Sequence, residues 1–592
     1  MDINSKIMAL RASMEKENID AYIIPSGDFH QSEYVADYFR ARTWISGFTG
    51  SAGTVVITKD KAILWADGRY FIQAAKEIKN TEIELYKMGQ PGVPTYTEFL
   101  KNEMKCGQTV GFDGRVISVA AYKLLKKEFH KKGINIEISK DLIEPLWKDR
   151  PQLPSAKIFI HDVKFAGLTV KEKLNIIREK MKAEGATYYL ISSLDDIAWT
   201  LNLRGRDIQN SPVFLSYLLI DEAGAGLFVN ESKIDDTVAR AMKEASVTIA
   251  SYNEVYDVVN ALTEGTILYD PAKTNVKLLT SIQDTVNKIE KRNLTTDLKA
   301  IKNHTEIENF MNCTIRDGVA MVKFIKYIKE NVIKEEISEV SAAKKLQDLR
   351  AEGDYFVEPS FTTIAGYKEH AAMMHYSANE ESNYILKPEG MFLVDSGGQY
   401  YDGTTDITRT LVLGPISEEE KKDFTLVVKS NIALTLAKFL YGATGSNLDI
   451  IARTPLWNEG IDYKCGTGHG VGFFLNVHEG PQNFSQVPNN VKLEAGMNIT
   501  NEPGVYKEGK HGIRIENLLY VVDDKETEYG GKFMKFEVAT FCPIDLDGID
   551  PKLLSEDELN FLNDYHKKVY EVLSPFLNDE EKLFLAKETR AI

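Results

Sequence analysis

The sequence predicts an α/β (α+β) fold in three parts: two related α/β domains in succession, then a third domain built differently. Three observations carry this. Residues 1–155 alternate between helical and strand-like patterns. The alternation restarts at 156 with matched spacing, since Met14 to Ser26 and Met181 to Ser193 cover the same distance from helix end to strand end. Beyond residue 303 the helical patterns lengthen and acidic residues stand at the ends of apolar runs. The boundaries follow as 1–155, 156–303 and 304–592, the last with a helical extension over about 535–592.

In the first part, Ile7, Leu10 and Met14 repeat at helical spacing between Lys6 and Glu17. Ala21–Ile24 is a short apolar strand that stops at Pro25-Ser26-Gly27. Thr54–Ile57 and Ala62–Trp65 are strands on either side of a polar turn, and Phe71–Lys79 returns to helix. In the second part, Val170–Ala183 is helical and Tyr188–Ile191 is a strand ending at two serines. Trp44-Ile-Ser-Gly-Phe-Thr-Gly50 has an echo in Trp199-Thr-Leu-Asn-Leu-Arg-Gly205, so the two halves read as a degenerate repeat. In the third part, Thr305 and Glu308 read as a capping box opening a helix. Ser338–Leu349 is a second helix and 418–441 a long amphipathic one, with Lys421, Lys422 and Lys429 on a solvated face. Ser555 and Glu558 cap a helix in the tail.

At 592 residues the chain exceeds one core. Its composition, 43% hydrophobic and 27% charged, is that of an ordinary globular protein. A net charge of −16 argues against nucleic acid as the main partner, because binding phosphates needs a basic surface. Four scattered cysteines without a Cys-x-x-Cys argue against a disulfide framework or a zinc–thiolate site. The chain opens on no apolar leader and contains no run of about 20 apolar residues, so a cytoplasmic location and no membrane partner are expected.

The chemistry concentrates in 391–516. Phe392-Leu-Val394 runs into Asp395, turn residues intervene, and Asp406 follows eleven positions later. His469 sits among glycines, Glu502 precedes Pro503-Gly504, and Glu516 follows Ile513-Arg514-Ile515. Any one of these could be a turn or structural residue. Together, several carboxylates at the ends of buried strands carry a desolvation cost that a shared cation offsets. Four carboxylates and one imidazole suit a pair of hard divalent ions, manganese above calcium.

These motifs, with Asn476-Val-His478-Glu-Gly-Pro481, Phe48–Gly53, Trp65–Tyr70 and Phe541–Asp545, resemble the pita-bread metallopeptidases. The resemblance is nearest to the three-domain cytosolic Xaa-Pro aminopeptidases (aminopeptidase P) and covers essentially the whole chain. It implies two creatinase-type N-terminal domains, a pita-bread catalytic domain and a homodimer. It also implies hydrolysis of the bond before proline in second position by a hydroxide bridging two divalent metals, most readily manganese. On this resemblance Asp395 chelates one metal and His469 and Glu502 the other. Asp406 and Glu516 bridge both, and Glu502 also accepts the proton of the attacking water. His375 and His478 become hydrogen-bond donors to substrate and transition state, and Arg514 contacts a substrate carbonyl or carboxylate. Met374, Tyr376 and Val477 are candidates for an apolar wall, while Trp65 and Arg69 either reach the cleft or are structural. Cys465 stands where many relatives have a histidine. A prolidase-type Xaa-Pro dipeptidase and a catalytically inactive pita-bread binding module are the alternative readings.

Overall fold

A computed structural model describes all residues from 1 to 592. The chain divides into two compact units, one of Met1–His161 with Leu168–Thr295, the other of Asp162–Gly167 with Thr296–Ile592.

The first unit contains the predicted repeat. Strands β1 (Ala21–Pro25), β2 (Thr54–Thr58), β3 (Ala62–Ala66), β4 (Glu84–Lys87), β5 (Thr109–Gly111) and β6 (Asn135–Glu137) form a sheet in the order β4-β3-β2-β1-β5-β6. Strands β7 (Tyr188–Ile191), β8 (Ser216–Ile220), β9 (Ala225–Val229), β10 (Val247–Ser251), β11 (Thr266–Tyr269) and β12 (Asn287–Glu290) repeat that order as β10-β9-β8-β7-β11-β12. The directions repeat too. In each sheet the first strand pairs antiparallel with the second and parallel with the fifth. The central strands are nearly continuous apolar runs because both faces are covered. Ile24, Val55, Ile57 and Leu64 enter one core, while Ile23, Val56, Ile63 and Trp65 enter the core on the other side. Trp65 is thus a core residue, its indole donating to the Pro94 carbonyl at 2.8 Å. Arg69 closes on the Asp67 carboxylate.

In the second unit the helix His304–Asn331 is capped by Asn303 and Glu306, not by Thr305 and Glu308. The asparagine side chain is the better N-cap, and Thr305 falls inside the first turn. The helix expected over 418–441 ends at Thr435, and buried residues line most of it. Its polar Asn431 explains this: the side chain donates to the carbonyls of Asn501 and Ile515, and its backbone carbonyl accepts from the Asn501 side-chain amide. Lys429 is not simply solvated but reaches Glu558 and the Leu553 carbonyl. The tail helix Glu556–Leu573 has the expected Ser555–Glu558 capping box.

Candidate metal centre

The strand Met391–Ser396 pairs antiparallel with Ile407–Val412, with Ser396 opposite Ile407 and Asp395 opposite Thr408. The turn signals between them therefore fold the chain back, and Asp395 and Asp406 come to adjacent strand ends. Gly397 makes this possible, since a Cβ there would sit 1.8 Å from the Thr405 carbonyl oxygen. Strand His511–Arg514 lies alongside, through Arg514 N–H to Thr410 Oγ1 at 3.1 Å, and Glu516 N–H donates to the Thr408 carbonyl.

His469 and Glu502 arrive together. Glu502 N–H donates to the Thr467 carbonyl at 2.8 Å, and Thr500 Oγ1 accepts from His469 N–H while facing Glu502 Oε1 at 3.3 Å. A Cβ on Gly468 would stand 1.8 Å from the Thr500 carbonyl oxygen, so only glycine permits this approach. His469 Nδ1 lies 2.8 Å from the Gly470 carbonyl, which turns Nε2 toward Asp406 Oδ2 at 3.4 Å and Glu502 Oε1 at 3.5 Å. One ligand atom each from Asp406, His469 and Glu516 lies within 4.8 Å of the others.

Electrostatics show what the cluster lacks. Burial, then the charges of Asp406 and Glu502, outweigh Arg514 and push the Asp395 carboxyl up to about 6. Burial and the same neighbours drive Glu516 well above the usual carboxylate range. Burial alone would lower His469, but its hydrogen bond to Asp406 and the charge of Glu502 raise it to about 9. Asp395 Oδ1 and Glu516 Oε1 are buried with no hydrogen-bond partner. Buried acceptors of this kind normally have partners. The donor set, four carboxylates and an imidazole converging with orphaned oxygens, fits divalent cations.

The two further histidines differ in how they reach this centre. The His478 ring stands against His469, centroids 4.3 Å apart and nearly perpendicular. His375 follows Met374, whose carbonyl lies 3.4 Å from the Arg514 guanidinium. Arg514 itself does not extend into open space. It is 3% exposed, with Nε on Thr408 Oγ1, one terminal nitrogen on Tyr506 Oη and the other on Asp395 Oδ2 at 2.5 Å. The guanidinium is shared among Asp395, Thr408, Tyr506 and the Met374 carbonyl, surroundings that favour a structural role over the expected substrate contact. Of the proposed apolar wall, Met374 is half-buried, whereas Val477 and Tyr376 are buried. Burial, then the charge of Glu502, pushes the Cys465 thiol up to about 12, so it stays neutral and is no nucleophile. Thr408, Thr500 and Tyr506 are not marked by the sequence, because threonines and tyrosines are ordinary strand residues.

Buried carboxylates crowded around one imidazole on this scaffold define a metal-dependent hydrolase. Family profiles agree: Creatinase/Prolidase N-terminal domain matches 6–146 and again 149–306, Metallopeptidase family M24 matches 308–523, and its C-terminal region matches 532–592. A probable Xaa-Pro aminopeptidase P of Coprinopsis cinerea is 40% identical, covering 100% of this chain and 99% of its own. Aminopeptidase P2 of Arabidopsis thaliana is 40% identical over 97% of this chain and 86% of its own. The crystal structure of an X-prolyl aminopeptidase from Caenorhabditis elegans, described as a cytosolic enzyme with a di-nuclear active site, superposes with a TM-score of 0.96 at 34% identity over the whole of both chains. The chain belongs to the Xaa-Pro aminopeptidase P family of M24 metallopeptidases.

Proposed function

We propose that this protein removes the N-terminal residue from peptides with proline in second position, using two divalent cations. The observation that carries the reading is the convergence of Asp395, Asp406, His469, Glu502 and Glu516 with two orphaned buried oxygens. Asp395 would hold one cation and His469 with Glu502 the other, with Asp406 and Glu516 shared. The carboxylate-rich set with a single imidazole favours manganese. When bound, such cations supply Lewis acidity for the scissile carbonyl and acidify a water near neutral pH.

The chain's own residues do the rest. Glu502, with one-fifth of its side chain exposed, accepts the proton released from the attacking water. His478, beside His469, donates to the substrate, and His375, next to the Met374 carbonyl that meets Arg514, is a second donor. Arg514 holds Asp395 and the Met374 carbonyl in position and does not touch substrate. Proline recognition follows from what that residue lacks, an amide hydrogen and free φ, so the site needs shape more than donors. We also infer a cytoplasmic location, a homodimer, and functional domains with limits at 1–155, 156–303 and 304–592. The full-length likeness to aminopeptidases favours a tripeptide-cleaving enzyme over a prolidase-type dipeptidase.

The test is hydrolysis of an Xaa-Pro-Xaa tripeptide and an Xaa-Pro dipeptide by metal-stripped protein, with and without manganese. Manganese-dependent release of the first residue from the tripeptide, with weak dipeptide turnover, is the expected result. Preferential dipeptide cleavage means a prolidase. Silence with no metal taken up means a binding module.

A further inference from the structure

Glu339 is the first residue of the helix Glu339–Ala351 and is completely buried. No lysine or arginine pairs with its carboxylate. Instead, the two oxygens collect donors from one stretch of chain. Oε1 accepts from Tyr367 N–H at 2.7 Å, and Oε2 accepts from Tyr376 Oη and from Tyr384 N–H, both at 2.9 Å. His370 Nδ1 lies 3.0 and 3.1 Å from the two oxygens. The His370 ring is itself stacked on Tyr384, centroids 3.7 Å apart.

The four tethered residues span the segment 367–384, which leaves strand Ile364–Tyr367 and has only a 3-10 turn, Lys368–Ala372, as regular structure. One carboxylate thus fastens this segment at both ends and in the middle. The middle tether, Tyr376, directly follows His375. Without the Glu339 carboxylate the segment retains the close approach of Ala371 to Gly512 and the Met374–Arg514 contact before His375. Beyond it the segment keeps the Tyr376 Oη–Ser382 carbonyl bond at 2.7 Å and the bonds of the Glu339 and Val340 N–H groups to Tyr384 and Asn383, but no other single group ties residues 367, 370, 376 and 384 together.

We propose that Glu339 is a positioning residue for His375: its buried charge fixes the segment so that the imidazole meets the substrate in one orientation. This rests on the reading of His375 as a substrate donor. Hydrogen bonds to a charged acceptor are about twice as strong as neutral ones, so one carboxylate can hold several backbone and side-chain donors at once. A misplacement of about 1 Å in a group that meets substrate costs on the order of a hundredfold in rate.

The test uses Glu339→Gln, which keeps the shape and gives up acceptors for Tyr376 and Tyr384. In the manganese-loaded full chain, kcat on an Xaa-Pro-Xaa tripeptide should fall roughly tenfold to a hundredfold, with metal content unchanged. His375→Ala should lower kcat by at least as much, and the double variant should be no worse than His375→Ala alone. In metal-free protein, amide hydrogen exchange over 368–384 should speed up in Glu339→Gln while the strand Met391–Ser396 stays protected. Tyr376→Phe, which removes the middle tether only, should give a smaller loss with the same non-additivity, and serves if Glu339→Gln does not fold. Multiplying effects in the double variant, or unchanged exchange over 368–384, would overturn the positioning role while leaving His375 in place. A His375→Ala enzyme as active as the parent, or a parent silent on Xaa-Pro substrates, would overturn the underlying reading and this one with it.

Discussion

His566 gives a sharp test of how the tail is held. It is fully buried on the helix Glu556–Leu573, where Nε2 accepts the Ile544 N–H at 3.0 Å and Nδ1 has no partner. Protonating Nε2 would set two N–H groups against each other. Burial, with the charges of Arg409 and Arg590 nearby, holds the imidazole down at about 3, against an ordinary value of 6.5. The folded state therefore keeps His566 neutral while the unfolded chain takes up a proton below pH 6.5. The contribution is fully present above 6.5, is lost as pH falls, and stops changing below about 3. The slope is about 1.4 kcal/mol per pH unit. Between pH 6.5 and 4.5, allowing for the half already titrated at 6.5, the loss is roughly 2–2.5 kcal/mol. Urea unfolding of metal-free protein at both pH values, for the parent and for His566→Gln, isolates this term, since every other titrating group cancels in the difference. The gap between parent and variant should narrow by that amount at the lower pH. A gap constant within about 0.5 kcal/mol would refute the reasoning.

Other outcomes can be checked directly. Manganese at a hundredfold excess over its dissociation constant should stabilise the stripped protein by about 2.7 kcal/mol, seen as a rise of several degrees in calorimetry; Asp406→Asn should abolish the rise. Gly468→Ala, with its new Cβ 1.8 Å from the Thr500 oxygen, should cost about 3 kcal/mol or more in urea unfolding and lower metal affinity, because the strands carrying His469 and Glu502 are pushed apart. A cost under about 0.5 kcal/mol would show that the strands can separate freely. At pH 7.5 iodoacetamide should label the exposed Cys106 long before Cys465, as peptide mapping would show, and equal rates would contradict the neutral thiol.

The sequence exposes what is local. Asp395 and Asp406 are legible because an eleven-residue strand–turn–strand brings them together whatever surrounds it, and the repeated sheets because helix and strand spacing recurs. What it hides depends on partners far along the chain. Glu339 lies 28 residues before the first of its tethers and reads as an ordinary surface acid at a helix start. Arg514 stood out as a charge beside a candidate site, but Thr408 and Asp395, which use its donors, are more than a hundred residues away. The helix ending at Thr435 has the polar residues of a solvated face, yet Asn431 spends its amide on two site strands, so charge and polarity alone misread its burial.

Arg409 ties the candidate metal centre to a later stretch of the chain. Its buried guanidinium donates to the carbonyls of Thr408 and Glu516 on one side and to those of Cys542 and Pro543, with Tyr565 Oη, on the other. The second group comes from residues 542–565, which follow all five candidate ligand residues in the chain. Without that stretch, a charge beside Glu516 would have half its acceptors missing, which a buried arginine does not tolerate. The strands that carry Glu516 and Thr408 are therefore held by residues 542–565 as well as by each other, and a chain cut before residue 542 would keep every ligand residue while losing half of the acceptors around Arg409.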